Sequence, residues 1–466
     1  MNNFDKIENV YFLGIGGIGM SALARYFNAA GKRVFGYDLT RSSLCERLEK
    51  EGMLISYVDD VASVPAQCMA ETKTMVVFTP AVPKDNKIFQ YFAGHKYFML
   101  KRARVLGMIS DNYKTVAVSG THGKTTVSSV ISNILKTSGN DAFAFLGGIS
   151  KNLDSNLMLP ENQQSYSDSQ TLLVAEADEF DRSFLWIKPY VSVVTYLDAD
   201  HLDIYKDRND IIETFNTFVS QGMKDGYVVV NKLIEDLIDT KGIQKYTYSV
   251  CDTSADFYAE NVVLTNGIFT CNIHTPQGVI ENVEVGARGR VNVENSVACA
   301  AAAFCLGISF QNIADGISSF RGVKRRMDFH VHNDDFVYID DYAHHPRELS
   351  ATISSIRELF PDKKLTGIFQ PHLYSRTRDF ASEFAHSLDL LDNVILKEIY
   401  PAREKPIPGV TSSLVAGLMK NKNSIIINDD KKILEFLSEN KPEVLLTLGA
   451  GNVDKLIGPI TNLFKD

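Results

Sequence analysis

Cysteine is sparse in this 466-residue chain, and its six positions (45, 68, 251, 271, 299 and 305) include no Cys-x-x-Cys pair. No disulfide framework can be read from that spacing, and Cys299 and Cys305 sit in an Ala-rich apolar run as buried thiols. A basic block is also missing. Lys and Arg number 48 against 57 Asp and Glu, a formal charge of −9, which excludes a dedicated nucleic-acid surface. No apolar run reaches membrane-spanning length, because the stretch after Asn9 is broken by glycines. Met1 to Asn9 is polar and mildly acidic, without the basic start of a signal peptide. What remains is a cytoplasmic multidomain protein, with 45% hydrophobic and 23% charged residues. At roughly 150 residues per domain, its length predicts about three domains.

Short β-branched or apolar runs alternate with helix-like segments, the pattern of an α/β fold. Strands are predicted at Val10–Leu13, Arg33–Tyr37, Met75–Phe78, Val116–Ser119, Thr171–Glu176, Val191–Thr195 and Tyr227–Val230. Later ones fall at Leu365–Phe369, Val394–Leu396, Ile425–Ile427 and Val444–Leu448. From Ala255 to Val285 the chain alternates apolar and polar with turn signals at Asn266-Gly267 and Pro276-Gln277-Gly278, predicting an antiparallel β insert. Boundaries near Ser110–Tyr113 and Gly322–Arg326 divide the chain into 1–112, 113–322 and 323–466.

Gly14-Ile15-Gly16-Gly17-Ile18-Gly19 follows an apolar strand and precedes a helical run. Such a turn lets backbone amides approach a diphosphate at a helix N-terminus, and Asp38 stands where a ribose-binding acid would sit. Alone, the turn leaves open a nicotinamide dinucleotide, another diphosphate, or simple strand-on-helix packing. Ser119-Gly120-Thr121-His122-Gly123-Lys124-Thr125-Thr126 is sharper. It joins a strand to a helix, with Lys124 placed to neutralise phosphate oxygens and Thr125 to ligate Mg²⁺. Its spacing departs from G-x-x-x-x-G-K-[ST], since two residues separate Gly120 from Gly123.

Two acidic clusters, Glu176-Ala177-Asp178-Glu179-Phe180-Asp181 and Asp198-Ala199-Asp200-His201-Leu202-Asp203, follow predicted strands. Parallel strands would carry both to the edge of the phosphate loop, where carboxylates require an intervening divalent cation. Some of these acids must be ordinary caps or surface charges, and His201 reads equally as a metal ligand or a hydrogen-bonding histidine. In the last third, Gly322-Val323-Lys324-Arg325-Arg326, Asp340-Asp341-Tyr342-Ala343-His344-His345-Pro346 and Gln370-Pro371-His372-Leu373-Tyr374-Ser375-Arg376-Thr377-Arg378 place cations and histidines beside strands, where doubly wound folds bind ligands.

Taken in order with Gly289-Arg290-Val291-Asn292-Val293-Glu294-Asn295 and Arg403-Glu404-Lys405-Pro406-Ile407-Pro408-Gly409-Val410, these motifs resemble the Mur ligases of peptidoglycan synthesis over nearly the whole chain. The glycine turn, the 198–205 run and the 340–346 run resemble the alanine-adding branch. The resemblance implies Rossmann-like N- and C-terminal domains around a central P-loop-type ATPase domain. It implies ATP with Mg²⁺ (Mn²⁺ able to substitute), UDP-N-acetylmuramate and L-alanine as small-molecule substrates, no nucleic-acid or membrane partner, and a monomer or homodimer. It assigns Gly14, Ile15, Gly16, Gly17, Ile18 and Gly19 to the UDP-sugar. Gly120, Thr121, His122, Gly123, Lys124, Thr125, Thr126, Asn292, Asn295, Arg326 and Asp341 go to ATP. Thr125, Glu176 and His201 go to the metal, and Tyr342, His344, His372 and Arg376 to the amino-acid side. Lys124, His344 and Arg376 are the expected catalytic groups, with His344 the candidate base. The nearest alternative is a ligase that attaches a whole tripeptide to the same UDP-sugar. An NAD-dependent oxidoreductase would leave Lys124 and the acids unexplained. Leu373 stands where such ligases often carry arginine, and Tyr196 where many carry asparagine.

Overall fold

The computed structural model describes residues 4–197, 205–402, 404–421 and 423–465. Among them the chain forms three sheets. The first runs in the order Leu54–Ser56, Arg33–Tyr37, Asn9–Leu13, Thr74–Phe78, Phe98–Lys101, every pair parallel. Asn9–Leu13 at its centre is buried along its whole length, as a strand covered by helices on both faces must be.

The ten-stranded second sheet has the order Gly278–Val285, Ile268–Thr275, Phe257–Thr265, Gln244–Ser249, Tyr227–Asn231, Val191–Val194, Lys114–Ser119, Leu172–Glu176, Ala142–Ser150, Ser155–Met158. Lys114–Ser119 lies between two parallel neighbours, with Val118 opposite Glu176 and Ser119 opposite Val194. The expected β insert is present as the three outermost strands. They extend the same sheet, and Asn266 and Gly267 turn the chain with positive φ of 52° and 76°.

The third sheet has the order Asp328–His332, Val337–Asp341, Val444–Leu448, Leu365–Phe369, Asn393–Leu396, Ser424–Ile426. Only its first pair is antiparallel. Each predicted strand is found, with ends shifted by a residue or two.

The chain divides into two compact units: Met1–Val263 with Thr270–Gly286 and Glu294–Arg321, and Leu264–Phe269 with Ala287–Val293 and Gly322–Asp466. In the first unit the two sheets share one apolar core that runs from Phe12 and Phe27 through Val105 and Ile109 to Phe143, Phe184 and Phe215. Tyr26 of the helix Ile18–Ala29 meets Phe143 with ring centroids 5.7 Å apart. Asn156 Nδ2 donates to Ser21 Oγ across the same seam at 3.0 Å. The helix Arg102–Ser110 is followed by the strand Lys114–Ser119 within this unit. Five of the six cysteines are buried, Cys251 is exposed, and all are free thiols. Among the described residues no helix is long and apolar enough to cross a membrane.

The helix Lys124–Thr137 is the element the sequence specifies most completely. Val127, Val130, Ile131, Ile134 and Leu135 are buried. Asn140 N–H donates to Leu135 O and Gly139 N–H to Lys136 O, the paired bonds of a Schellman end with Gly139 at φ 72°. The helix Phe310–Ser318 packs on it so closely that a Cβ built on Gly316 lies 2.5 Å from Ile134 Cα. Gly316→Ala is therefore expected to cost about 1–3 kcal/mol by overpacking, read as a lower urea midpoint. Gly458→Ala, whose built Cβ meets nothing within 4 Å, should leave the midpoint unchanged or slightly raised.

Candidate active site

The phosphate-loop residues lie where the strand Lys114–Ser119 ends and the helix Lys124–Thr137 begins. Gly120 has φ 124° and Gly123 φ 82°. A side chain at Gly120 would meet Thr195 Oγ1 at 2.2 Å, and one at Gly123 would meet Asn295 Oδ1 at 2.9 Å. Both positions therefore require glycine on backbone angle and on space. Thr195 fastens the loop from the next strand, its hydroxyl donating to Ser119 O at 3.1 Å and to His122 O. Thr121 N–H donates to Tyr196 O at 2.9 Å. The Thr121 hydroxyl oxygen is buried and has no hydrogen-bond partner among the described residues. Thr125 is buried, and Thr126 half-buried, in the first helical turn.

Lys124 Nζ donates to Gly120 O at 2.7 Å and lies 2.9 Å from both oxygens of Glu179. Burial works to lower its pKa, but the carboxylates of Glu179, Asp178 and Glu176 outweigh that and hold the lysine above its ordinary value. Glu179 is itself only 2% exposed. The expected acidic cluster lies at the same sheet edge and sorts by partner. Asp178 lies 3.6 Å from Arg102 and Asp181 2.9 Å from Lys101, while Glu176 Oε2 accepts from Gly147 N–H at 3.1 Å. Among the described residues no three His, Cys, Asp or Glu side chains form a metal cluster. The second cluster, 198–203, including His201, lies outside the described residues.

In the first sheet the turn Gly14–Gly19 opens the helix Ile18–Ala29. Ile15 is buried beneath it, and Ile18 is 37% exposed. Asp38 Oδ2 accepts the Gly16 amide at 2.8 Å and Oδ1 the Thr40 amide at 3.1 Å. The acid read as a ribose contact thus braces the glycine turn. A Cβ on Gly19 would meet Arg102 Nη1 at 2.7 Å, which puts a cation beside that turn.

The four residues expected on the amino-acid side, Tyr342, His344, His372 and Arg376, all belong to the second unit. Asp341 ends the strand Val337–Asp341 and accepts the amides of Met327 (2.7 Å) and Ala343 (2.8 Å). Burial pushes its carboxyl up to about 6, against the pull of Arg326. Arg326 lies over the Tyr342 ring at 5.2 Å, and Tyr342 meets His344 at 5.2 Å. His344 Nδ1 lies 3.0 Å from Tyr342 O and 3.2 Å from Glu348 Oε2. His372 is 6.1 Å from His344 and stacks on Tyr400. Arg376 stands one turn further on, in the short helix Tyr374–Asp379, entered through Leu373 at φ 72°.

Asn292 Nδ2 donates to Arg288 O at 2.7 Å. The asparagine expected beside it at the nucleotide, Asn295, lies against the phosphate loop at Gly123. Sequence reasoning missed Thr195, Arg102, Glu348 and Tyr400 as supporting residues. Only the position of Thr195 at a strand end could have signalled one of them, because the others depend on long-range packing.

Three family models match consecutive stretches of the chain: the Mur ligase family catalytic domain at 9–114, the Mur ligase middle domain at 118–303, and the Mur ligase glutamate ligase domain at 325–451. A UDP-N-acetylmuramate--L-alanine ligase of Parabacteroides distasonis is 47% identical over 462 residues, covering 99% of this chain and 98% of the relative. The enzyme of the same name from Phocaeicola vulgatus is 46% identical over 462 residues, 99% of each. Among solved structures, a UDP-N-acetylmuramate-alanine ligase from Thermotoga maritima has the same fold, with a TM-score of 0.82 at 23% identity over 98% of this chain and 99% of that one. In sequence from end to end and in fold, the chain belongs to the Mur ligase family.

Proposed function

We propose that this enzyme uses ATP to join L-alanine to the lactyl carboxylate of UDP-N-acetylmuramate in peptidoglycan precursor synthesis, in the cytoplasm. The observation that carries the reading is the full-length identity of 46–47% to ligases named for that reaction. The division of labour follows 1–112 for the UDP-sugar, 113–322 for ATP and 323–466 for the amino acid. A carboxylate and an ammonium do not condense in water, so the carboxylate must be activated. Its oxygen attacks the γ-phosphorus and ADP leaves, giving an acyl phosphate. The alanine amine then attacks the acyl carbon, phosphate leaves, and the ammonium proton passes to a base.

Phosphoryl transfer needs positioning and charge neutralisation more than covalent chemistry. Lys124, kept protonated by Glu179, supplies a fixed cation, and the loop amides with the unpartnered Thr121 hydroxyl supply donors. Thr125 and Glu176 offer hard oxygen ligands that suit Mg²⁺, with His201 the third expected ligand. When bound, that ion neutralises phosphate charge. His344, its Nδ1 already engaged, is the candidate base, with Arg326 and Arg376 as the cations of the phosphate and carboxylate.

Phosphate release from Mg-ATP is expected to require both UDP-N-acetylmuramate and L-alanine; release that ignores alanine but answers to a tripeptide would overturn the acceptor. Lys124→Ala should lower kcat/KM by at least about a hundredfold, and near wild-type turnover would remove the loop from the mechanism.

Asp341 adds a pH signature. A carboxyl at about 6 in the fold and 3.8 in the ordinary case stabilises the protein fully below about pH 4, and this contribution is lost as pH rises through about 6. The stability difference between wild type and Asp341→Asn should therefore shift by on the order of 3 kcal/mol in favour of the variant between pH 4 and 7. Urea unfolding at both pH values checks this, and parallel profiles would contradict it.

A further inference from the structure

The cationic turn of the second unit is built around a residue that its backbone disfavours. Val323 and Arg326 form an isolated antiparallel bridge, with Arg326 N–H donating to Val323 O at 3.1 Å. Lys324 and Arg325 are thus the two central residues of a tight turn. Arg325 has φ 63° and Met327 φ 45°, and the third position of such a turn ordinarily takes glycine.

The Arg325 side chain shows what offsets that strain. Its Nε donates to Asp340 Oδ2 at 3.2 Å and its Nη2 to Gly449 O at 2.7 Å, while Asp454 lies 3.7 Å from Nη1. Asp340 is fully buried, and its other oxygen accepts from Thr447 Oγ1 at 2.6 Å. Thr447 Oγ1 in turn lies 3.1 Å from the buried Tyr338 hydroxyl. The Arg325 amide donates to Asp328 Oδ2 at 3.0 Å. Asp328, Asp340 and Thr447 are register partners on three adjacent strands, so one arginine is gripped by the ends of all three.

The grip reaches the groups assigned to chemistry. Arg325 O accepts the Tyr342 amide at 2.7 Å, and its guanidinium lies 5.1 Å from the Tyr342 ring. Arg326, the next residue, covers the same ring at 5.2 Å. Freeing the Arg325 side chain would therefore loosen the turn that leads into Arg326 and whose carbonyl holds the Tyr342 amide.

We propose that Arg325, held by Asp340 and Gly449, is a positioning residue that fixes the 323–327 turn and thereby sets Arg326 and Tyr342 for substrate. This rests on the ligase reading for the identity of the substrate and on the geometry alone for the clamp.

The test compares the full-length wild type with Arg325→Lys, which keeps the charge and loses the fork, and with Arg325→Gly combined with Asp340→Asn. The pair relieves the turn without leaving a buried carboxylate unmatched. Hydrogen exchange is expected to rise in peptides spanning 323–328 and 340–344 and not elsewhere in the third sheet, with little change in Tm. KM for L-alanine should rise at least about tenfold as kcat falls, with Arg325→Lys in between. KM for UDP-N-acetylmuramate should stay within about twofold, because the Gly14–Gly19 turn belongs to the other unit. Unchanged exchange in those peptides, a rise spread evenly over the sheet, or equal changes in every KM would overturn the proposal. If the wild type showed no alanine-dependent ATP consumption, the ligase reading would fail by itself, and the exchange pattern would still decide the clamp.

Discussion

A cation held dry at the end of a parallel sheet is the constraint around which the central site is built. Lys124 carries its charge beside a carboxylate that is 2% exposed, an arrangement whose desolvation cost is large. Each residue of the pair is anchored by a further hydrogen bond. Lys124 also donates to Gly120 O, and Tyr205 OH donates to Glu179 O at 2.6 Å. The Gly120 carbonyl can reach the lysine only because the loop doubles back through two glycines, and Thr195 pins that loop to the neighbouring strand. Loop, lysine and acid form one unit, so a change in any of them disturbs the other two.

The second unit solves the same problem with different residues. Arg325 pairs with the buried Asp340 where the strands of the third sheet end, and a backbone carbonyl, Gly449 O, again takes one of its protons. In both units a parallel sheet brings strand ends together, and an acid at or just beyond a strand end fixes a cation from a neighbouring segment. The difference lies in which cation faces substrate. In the central site the gripped lysine is itself the residue proposed to meet phosphate, whereas in the second unit the gripped arginine is next to the one proposed for that role.

Most of the strands were legible in the sequence because they are short apolar runs buried on both faces, a pattern that local composition states directly. Gly120, Gly123 and Lys124 were legible because phosphate chemistry demands those residue types at close spacing. Asp38, read from the sequence as standing where a ribose-binding acid would sit, braces the glycine turn through the Gly16 amide. Its position at the end of a strand is the same whether its oxygens meet a ligand or the Gly16 amide, and only the folded turn distinguishes the two. Arg102 was invisible for a related reason. It lies 83 positions from Gly19 and 76 from Asp178, and nothing local announces that a helix near the end of the first sheet comes to rest against both. The shared core of the first two sheets had no sequence signal either, since apolar residues near 105–113 look the same whether they close one core or join two.

The acids beside the phosphate loop show how a chain of charge −9 can receive anions at an acidic edge. Lys124 faces Glu179, Arg102 faces Asp178 and Lys101 faces Asp181, so three of the four carboxylates of the first cluster are met by cations from other elements. Glu176 is different. Among the described residues it is in no ion pair, and its one hydrogen bond comes from the Gly147 amide, so close that a Cβ on Gly147 would lie 2.2 Å from its oxygen. That amide fixes the direction of the carboxylate without cancelling its charge. Of the four acids, Glu176 is thus the one whose direction is set by a backbone amide and not by a cation from another element.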